Sequence, residues 1–287
     1  MSRIAYVNGR FVPHAHAEVH VEDRGYQFAD GVYEVVLVQN GVMVDEIPHL
    51  DRLDRSLKEL RIDPPMGRGA LRAQMRELVR LNRIRTGLVY MQVTRGVAKR
   101  DHPFPKDARP SLVMTAKRIA MPSNDVVENG VKVITIRDIR WERCDIKTVA
   151  LLPNVLGKQQ ARENGAYEAW QVDGDGNVTE GTSTNAWIVT QDGELLTRQA
   201  SNDILNGITR LSILKLADRQ GLKFVERPFS VEEAKQAREA FISSATSFVT
   251  PVTQIDDSVI GNGKAGTLST GLRDSYLAYA AGEGATA

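Results

Sequence analysis

The chain has 287 residues, of which 42% are hydrophobic and 25% charged, and its formal net charge is +1. That length suits one large domain or two smaller ones and buries about three quarters of the unfolded surface, so no disulfide or metal staple is needed. The near-neutral charge excludes a strong field for nucleic acid or an anionic membrane, and no apolar run approaches the ~18 residues of a membrane helix. Cys144 is the single cysteine, which excludes an internal disulfide and suits a reducing compartment. The opening MSRIAYVNGRFV lacks the apolar core of a secretory signal, so a soluble cytoplasmic protein is expected.

Along the chain, Asn8-Gly9 between IAYV and RFV, and Asn40-Gly41 between VYEVVLVQ and VMVDE, predict two tight hairpins. Leu50, Leu53, Leu57 and Leu60 fall at helical spacing, and Leu71, Met75, Leu78 and Leu81 mark a second helix over about 69–83. GLVYMQVTRG and PSLVMTAKRI read as strands that complete a small unit over 1–119. AMPSND (120–125), rich in loop formers, is the expected linker to a larger unit over 126–287. The larger unit opens with the strand GVKVITIRDIRW, then an amphipathic helix over about 153–164, then strands through 166–197. GITRLSILKLADRQG predicts a helix closed by Gly221, Ser230 and Glu233 a capping box, AFISSA a strand, and 266–282 a terminal helix. Strands and helices mix without regular βαβ alternation, so the class is α+β.

Three motifs are decoys. GNGKAG (261–266) has dinucleotide-loop spacing but lies too near the end of the chain for a βαβ unit, so it reads as a glycine-rich turn. His14, His16 and His20 supply no fourth ligand for a metal, and no metal site is expected. DGDGN (173–177) lacks the remaining positions of a calcium loop and reads as a hairpin turn.

The informative oddity is Lys147, an amine between Ile146 and the run TVALL, whereas Lys158 sits among polar neighbours as a solvent-facing helix lysine would. Lys147 reads either as a snorkelling side chain at a strand end or as a desolvated nucleophile toward a carbonyl. The commonest use of such a nucleophile is a Schiff base with pyridoxal 5'-phosphate. That cofactor also requires a carboxylate for its ring nitrogen, donors for its phosphate and a grip on the substrate. Glu180 in NVTEGTSTNAW, the helix start at Gly207, Ile208 and Thr209, Arg52 in HLDRL, and the hydroxyls of SSATS (243–247) are candidates for the first two demands.

Taken together, FADGVYEVV, HLDRL, VTRGVAKRDHPFP, RCDIKTVALLPNVLGKQQA, YEAW…VTEGTSTNAW, ILNGITR and SSATSFVTPV, in that order, resemble the class IV (fold type IV) pyridoxal-phosphate aminotransferases, and among them the D-amino-acid transaminases. The resemblance spans nearly the whole chain. It implies a two-domain fold with a small α/β domain and a larger domain with a mixed, barrel-like sheet. It implies that Lys147 carries the Schiff base, that Glu180 pairs with the ring nitrogen, and that Leu205 packs beside the ring. Arg52, Gly207, Ile208, Thr209, Ser244, Ala245 and Thr246 would hold the phosphate. Ala245 stands where the family commonly has threonine, which removes one hydroxyl contact. Tyr33, Arg100 and His102 match the carboxylate grip of D-amino-acid transaminases. The implied activity is ping-pong transfer of an amino group from a D-amino acid, such as D-alanine, to a 2-oxo acid, by a homodimer. The alternatives are a branched-chain L-amino-acid transaminase, an (R)-amine transaminase, an aminodeoxychorismate lyase, or a protein that only binds the cofactor or an amine.

Overall fold

The structure, a computed structural model, describes residues 3–120 and 123–282. Two units emerge: Met1–Ala120 with Ile146–Ala150, and Met121–Asp145 with Leu151–Ala287. The first is built on its asparagine–glycine turns. Asn8 and Gly9 both adopt positive φ and join β1 (Ile4–Val7) to β2 (Arg10–Pro13). After α1 (Arg24–Phe28), Asn40 and Gly41 do the same between β3 (Gly31–Gln39) and β4 (Val42–Met43). Two-residue loops of this kind match the right-handed strand twist, and asparagine and glycine tolerate the conformation best.

The predicted leucine stripes become α2 (Glu46–Glu59) and α3 (Arg68–Leu81), followed by β5 (Gly87–Thr94) and β6 (Ser111–Arg118). The sheet order is β2-β1-β6-β5-β3-β4, antiparallel throughout. Val32, Val36 and Val38 of β3 join Val89, Met91 and Val93 of β5 in one core with Leu50, Leu53, Leu57, Leu71, Met75 and Leu78 of the two helices. Strand alternation then assigns the opposite face to Tyr33, Tyr90 and Gln92. Residues 146–150 attach to the start of β3, through Tyr33 N–H donating to Lys147 O (3.0 Å) and Val149 N–H to Gly31 O (3.1 Å).

The second unit runs α4 (Asn124–Asn129), β7 (Val131–Arg137), α5 (Leu152–Glu163), β8 (Glu168–Val172), β9 (Val178–Gly181), β10 (Asn185–Val189), β11 (Leu195–Thr197), α6 (Ile208–Arg219), β12 (Phe224–Glu226), α7 (Val231–Lys235), β13 (Glu239–Ser244), β14 (Phe248–Ile255), β15 (Ser258–Val259) and α8 (Thr267–Ala281). The mixed sheet has order β12-β11-β10-β13-β14-β7-β8-β9, with β15 on β14. β9 ends this path, yet a three-residue turn, Thr182–Thr184, joins it directly to β10, with Gly181 N–H on Thr184 O at 2.7 Å. The sheet therefore curls back on itself, which gives the barrel-like core expected of the fold.

Some local expectations change. Residues 121–122 of the expected linker lie outside the described residues, and its end opens α4, capped by Ser123 Oγ on Val126 N. Ser230 caps α7 as anticipated, at 3.0 Å from Glu233 N. The Glu233 carboxylate, however, is engaged by Arg227. β14 was not foreseen because it contains Pro251. It is tolerated because the parallel ladder to β7 begins only at Val252, so no N–H is needed on that side one residue earlier. In GNGKAG, Gly261 and Gly263 take positive φ, and Gly266 lets the Glu239 carboxylate reach Leu268 N (3.1 Å) and Ser269 N (2.9 Å) at the start of α8. A helix end that could have received an anion is thus closed by the chain's own carboxylate.

Leu53 is 1% exposed in the core of the first unit. Leu53→Ala should lower stability by about 2–5 kcal/mol, from lost burial plus the cavity left behind, read as a drop in the urea midpoint.

Candidate active site

β3 sets the first group of residues. Its alternation points Glu34 at the helices and Tyr33 at the other face. Glu34 is fully buried and accepts a fork from Arg52, Nε to Oε1 at 2.7 Å and Nη2 to Oε2 at 2.8 Å, with His49 Nδ1 2.7 Å from Oε2. Burial alone would raise the Glu34 carboxyl. The Arg52 charge and the hydrogen bonds of Arg52 and His49 outweigh it and bring it down to about 2. Arg52, a predicted phosphate residue, thus has its guanidinium plane fixed by Glu34, a residue the sequence reading passed over.

Lys147 is anchored through its own backbone: its N–H donates to Ser56 Oγ (3.4 Å), and buried Ile146 lies in the first core. Its half-buried side chain places Nζ 4.2 Å from the centre of the Tyr33 ring. No ion pair or hydrogen-bond acceptor holds this ammonium among the described residues. The amine is oriented by an aromatic face and stays chemically uncommitted. Tyr33 also meets Tyr90 at 5.7 Å, and Tyr90 OH donates to Gln92 Oε1 (2.7 Å). Burial, with Tyr33 nearby, pushes the Tyr90 phenol up to about 12, so it is a donor at neutral pH. Tyr90 and Gln92 were not singled out from the sequence, though the alternation of GLVYMQVTRG could have placed them beside Tyr33.

Arg100 and His102 are exposed and meet around one ring. Arg100 Cζ is 4.6 Å from the centre of Phe28, and the His102 ring 5.5 Å from it. Arg24 fixes the same stretch by donating to the carbonyls of Asp101 (2.6 Å) and His102 (3.2 Å). Arg95 stacks on Phe104 at 3.6 Å and forks onto Asp30. Gly96 adopts φ +95, where a Cβ would stand 1.9 Å from Arg109 O, so this turn accepts glycine alone. Arg100 and His102 therefore come together as expected, whereas Tyr33 is found with Lys147 and Tyr90.

In the second unit Glu180, on β9, is held from three sides. Arg140 Nη1 donates to Oε1, Asn185 Nδ2 to Oε2 at 3.1 Å, and Leu205 N–H to both oxygens at 3.2 Å. Asn185 Nδ2 also donates to Leu205 O (2.9 Å), tying the carboxylate to the residue two positions before Gly207. Gly207 opens α6 and offers no side-chain cap to its first amides. A Cβ there would lie 2.2 Å from Asn185 Oδ1. Ile208 and Thr209 are buried, with Thr209 Oγ1 3.5 Å from Tyr276 OH. At the turn between β13 and β14, Ser244 Oγ joins Thr246 Oγ1 (3.1 Å) and Ser247 Oγ (2.7 Å) and accepts from both of their backbone amides, while Ala245 contributes no hydroxyl.

Three further residues shape this unit. Glu168, fully buried, accepts from Thr182, Ser183 (2.7 Å) and Thr184 (3.3 Å), which locks the turn after Glu180. Lys158 lies 3.4 Å from that carboxylate and donates to Tyr167 O, so it is a partnered residue and the expectation of a plain surface lysine is corrected. Burial pushes the Cys144 thiol up to about 12, with Arg140 opposing and Glu180 and Asp138 adding to the rise. It packs on Trp141 O at 3.1 Å as an inert thiol.

In the first unit an amine without an ionic partner among the described residues, and in the second a buried carboxylate, a helix start without a side-chain cap and a hydroxyl-bearing turn, are groups of the kinds that a pyridine aldehyde phosphate requires. The family model for amino-transferase class IV matches residues 31–255. The D-alanine aminotransferase of Staphylococcus aureus (strain N315) is 42% identical over 275 residues, 96% of this chain and 96% of its own. That of Bacillus licheniformis is 42% identical over 278 residues, 96% of this chain and 97% of its own. Among solved structures, the T.th. branched-chain amino acid aminotransferase with pyridoxamine 5'-phosphate superposes with a TM-score of 0.91 at 25% identity, covering 98% of this chain and 95% of that one. The Escherichia coli branched-chain enzyme shares the fold, with a TM-score of 0.90 at 23% identity, covering 99% and 96%.

Because the Glu34 carboxyl sits near 2 when folded against an ordinary 4.5, its pairing is fully stabilising above about pH 4.5 and is lost as pH falls toward 2, a swing of roughly 3 kcal/mol. Urea midpoints followed down through this window should fall for the native chain, and Glu34→Gln should remove most of that dependence.

Proposed function

The chain belongs to the class IV amino-transferases, and on that premise we propose that it transfers the amino group of a D-amino acid, such as D-alanine, to a 2-oxo acid, such as 2-oxoglutarate, with pyridoxal 5'-phosphate. Two D-alanine aminotransferases 42% identical over nearly the full length support the substrate class. The observation that carries the chemistry is Lys147, whose amine rests on the Tyr33 ring with no acidic partner among the described residues.

When bound, the cofactor supplies an aldehyde that condenses with amines and a protonated ring that draws electrons from the substrate Cα. Lys147 Nζ would bond the aldehyde, and its amine would hold the substrate Cα proton and return it, as base and then acid. Glu180 would pair with the ring nitrogen and Leu205 would pack beside the ring. Arg52, Gly207, Ile208, Thr209, Ser244, Ala245 and Thr246 would hold the phosphate, with Ala245 contributing only backbone. Tyr33, Arg100 and His102 are assigned to the substrate carboxylate, through guanidinium, imidazole and phenol donors. The exposed Ile139, Trp141, Leu152, Val155, Leu156 and Tyr167 support a homodimer. No described helix is long and apolar enough to cross a membrane, and the single cysteine supports a cytoplasmic setting.

The superposition on branched-chain enzymes motivates an L-selective second reading. D-alanine and L-leucine, each with 2-oxoglutarate, separate the two: D-selective formation of 2-oxo acid is expected, and L-selective turnover would overturn the substrate assignment. Lys147→Ala should abolish turnover and the absorbance of the lysine-bound cofactor, and persistence of both would remove the lysine from its role. Arg100→Ala should raise KM for amino acids at least ~10-fold while leaving cofactor affinity near native, as expected for loss of a charge-assisted contact to the carboxylate; equal loss of both would argue against a substrate-side position.

A further inference from the structure

Arg140 is a buried cation whose three nitrogens all donate within the second unit. Nε and Nη2 fork onto Asp138 at 3.0 and 2.7 Å, Nη2 also reaches Thr179 Oγ1 (3.3 Å) and Asp203 O (3.0 Å), and Nη1 donates to Glu180. The backbone N–H of Arg140 binds Asp138 as well, at 3.0 Å. The guanidinium is therefore immobilised before it meets Glu180. Burial disfavours its charge, but the Asp138 hydrogen bonds and the Glu180 and Asp138 carboxylates hold it firmly protonated. Two further donors on Glu180, Asn185 and the Leu205 amide, are neutral. They can orient the carboxylate but cannot balance its charge.

Building on the assignment of Glu180 to the ring nitrogen, we propose that Arg140 is a positioning residue whose fixed charge keeps the shared proton on the cofactor's ring nitrogen and off Glu180. The direct contact gives the reason. Arg140 donates to a Glu180 oxygen, so its charge stabilises the ionised form of Glu180 at the atom it touches. Without the guanidinium the Glu180 carboxylate binds a proton more tightly, and the ring proton can pass to a Glu180 oxygen, which leaves a neutral ring and a neutral acid while Asp138 keeps its charge. A neutral ring withdraws electrons poorly, so Arg140 would govern the reaction from a position that touches neither substrate nor cofactor.

The test is 15N NMR of the holoenzyme reconstituted with ring-15N pyridoxal phosphate, titrated with pH. Native protein should show a protonated ring nitrogen throughout its folded range. Arg140→Gln and the volume-matched Arg140→Met should move the ring-15N signal at neutral pH most of the way from the protonated to the unprotonated value, because the proton then rests on Glu180. Arg140→Lys, which retains a cation, should recover at least half of that shift. A purely structural arginine would weaken cofactor retention without moving the ring signal. A native-like ring signal in folded Arg140→Gln or Arg140→Met overturns the proposal, as does a folded Arg140→Lys that has lost ring protonation. Glu180→Gln separates the two levels. If it loses the protonated signal while Arg140→Gln keeps it, Glu180 stands and Arg140 falls; if it keeps the signal with cofactor bound, the Glu180 assignment itself fails.

Discussion

Buried carboxylates that must find donors away from water organise this molecule. Glu34 and Glu168 are fully buried, and Glu180 and Glu239 nearly so. A carboxylate removed from water is costly unless hydrogen-bonded or paired, and each solution here fixes something else. Glu34 fixes the plane of Arg52. Glu168 collects the hydroxyls of the β9–β10 turn. Glu239 closes the start of α8, and Glu180 draws Arg140, Asn185 and the Leu205 amide onto one point. The hydrophobic cores build the two sheets, while the carboxylates decide which polar groups the sheets hold rigid.

That rigidity matters more for this chemistry than raw affinity. A proton moved at one carbon, with a ring as electron sink, requires an amine uncommitted to any acid and a carboxylate strongly committed to its surroundings. The surroundings of Lys147 and Glu180 match these opposite requirements, in keeping with the roles proposed for them. The lysine is anchored through its backbone and Ile146, and its head rests on an aromatic face. The glutamate is held through its head by donors from three chain segments. The amine stays uncommitted to any acid among the described residues, and the crowded carboxylate keeps its geometry.

What the sequence disclosed follows from how far each signal reaches along the chain. Hairpins at Asn8-Gly9 and Asn40-Gly41, the leucine stripes of α2 and α3, and the start of α6 at Gly207 are local patterns, and they were legible. So was the resemblance to a known family, whose motifs are short local runs and whose model matches residues 31–255. The partners that fix residues within those motifs were not: Glu34 is 18 positions from Arg52, Arg140 is 40 from Glu180, and Glu168 is 15 from Ser183. Periodicity carries no signal for a pair formed across a sheet. β14 was hidden for a different reason, since Pro251 argues against a strand locally and is permitted only by where the ladder to β7 begins. Lys158 shows the converse error. Its polar neighbours suggested plain solvent exposure, while the fold brought it beside a buried carboxylate.

The frame and the choice of substrate reside in different kinds of structure. A branched-chain enzyme 25% identical superposes over 98% of this chain, so the architecture persists through wide sequence change. Arg100 and His102 lie instead on an exposed stretch attached by a few specific devices: Gly96 at a φ closed to other residues, Arg24 on two carbonyls, and Arg95 stacked on Phe104. Those devices sit in the segment itself and in α1 and β3's approach, outside the helix-covered core. A segment held this way can be rebuilt without disturbing the sheet behind it. On the assignments proposed above, selectivity for a carboxylate's position can therefore change while the proton chemistry proposed for Lys147 and Glu180 stays constant, because the groups around Glu180 are secured by burial and Arg100 and His102 by a turn.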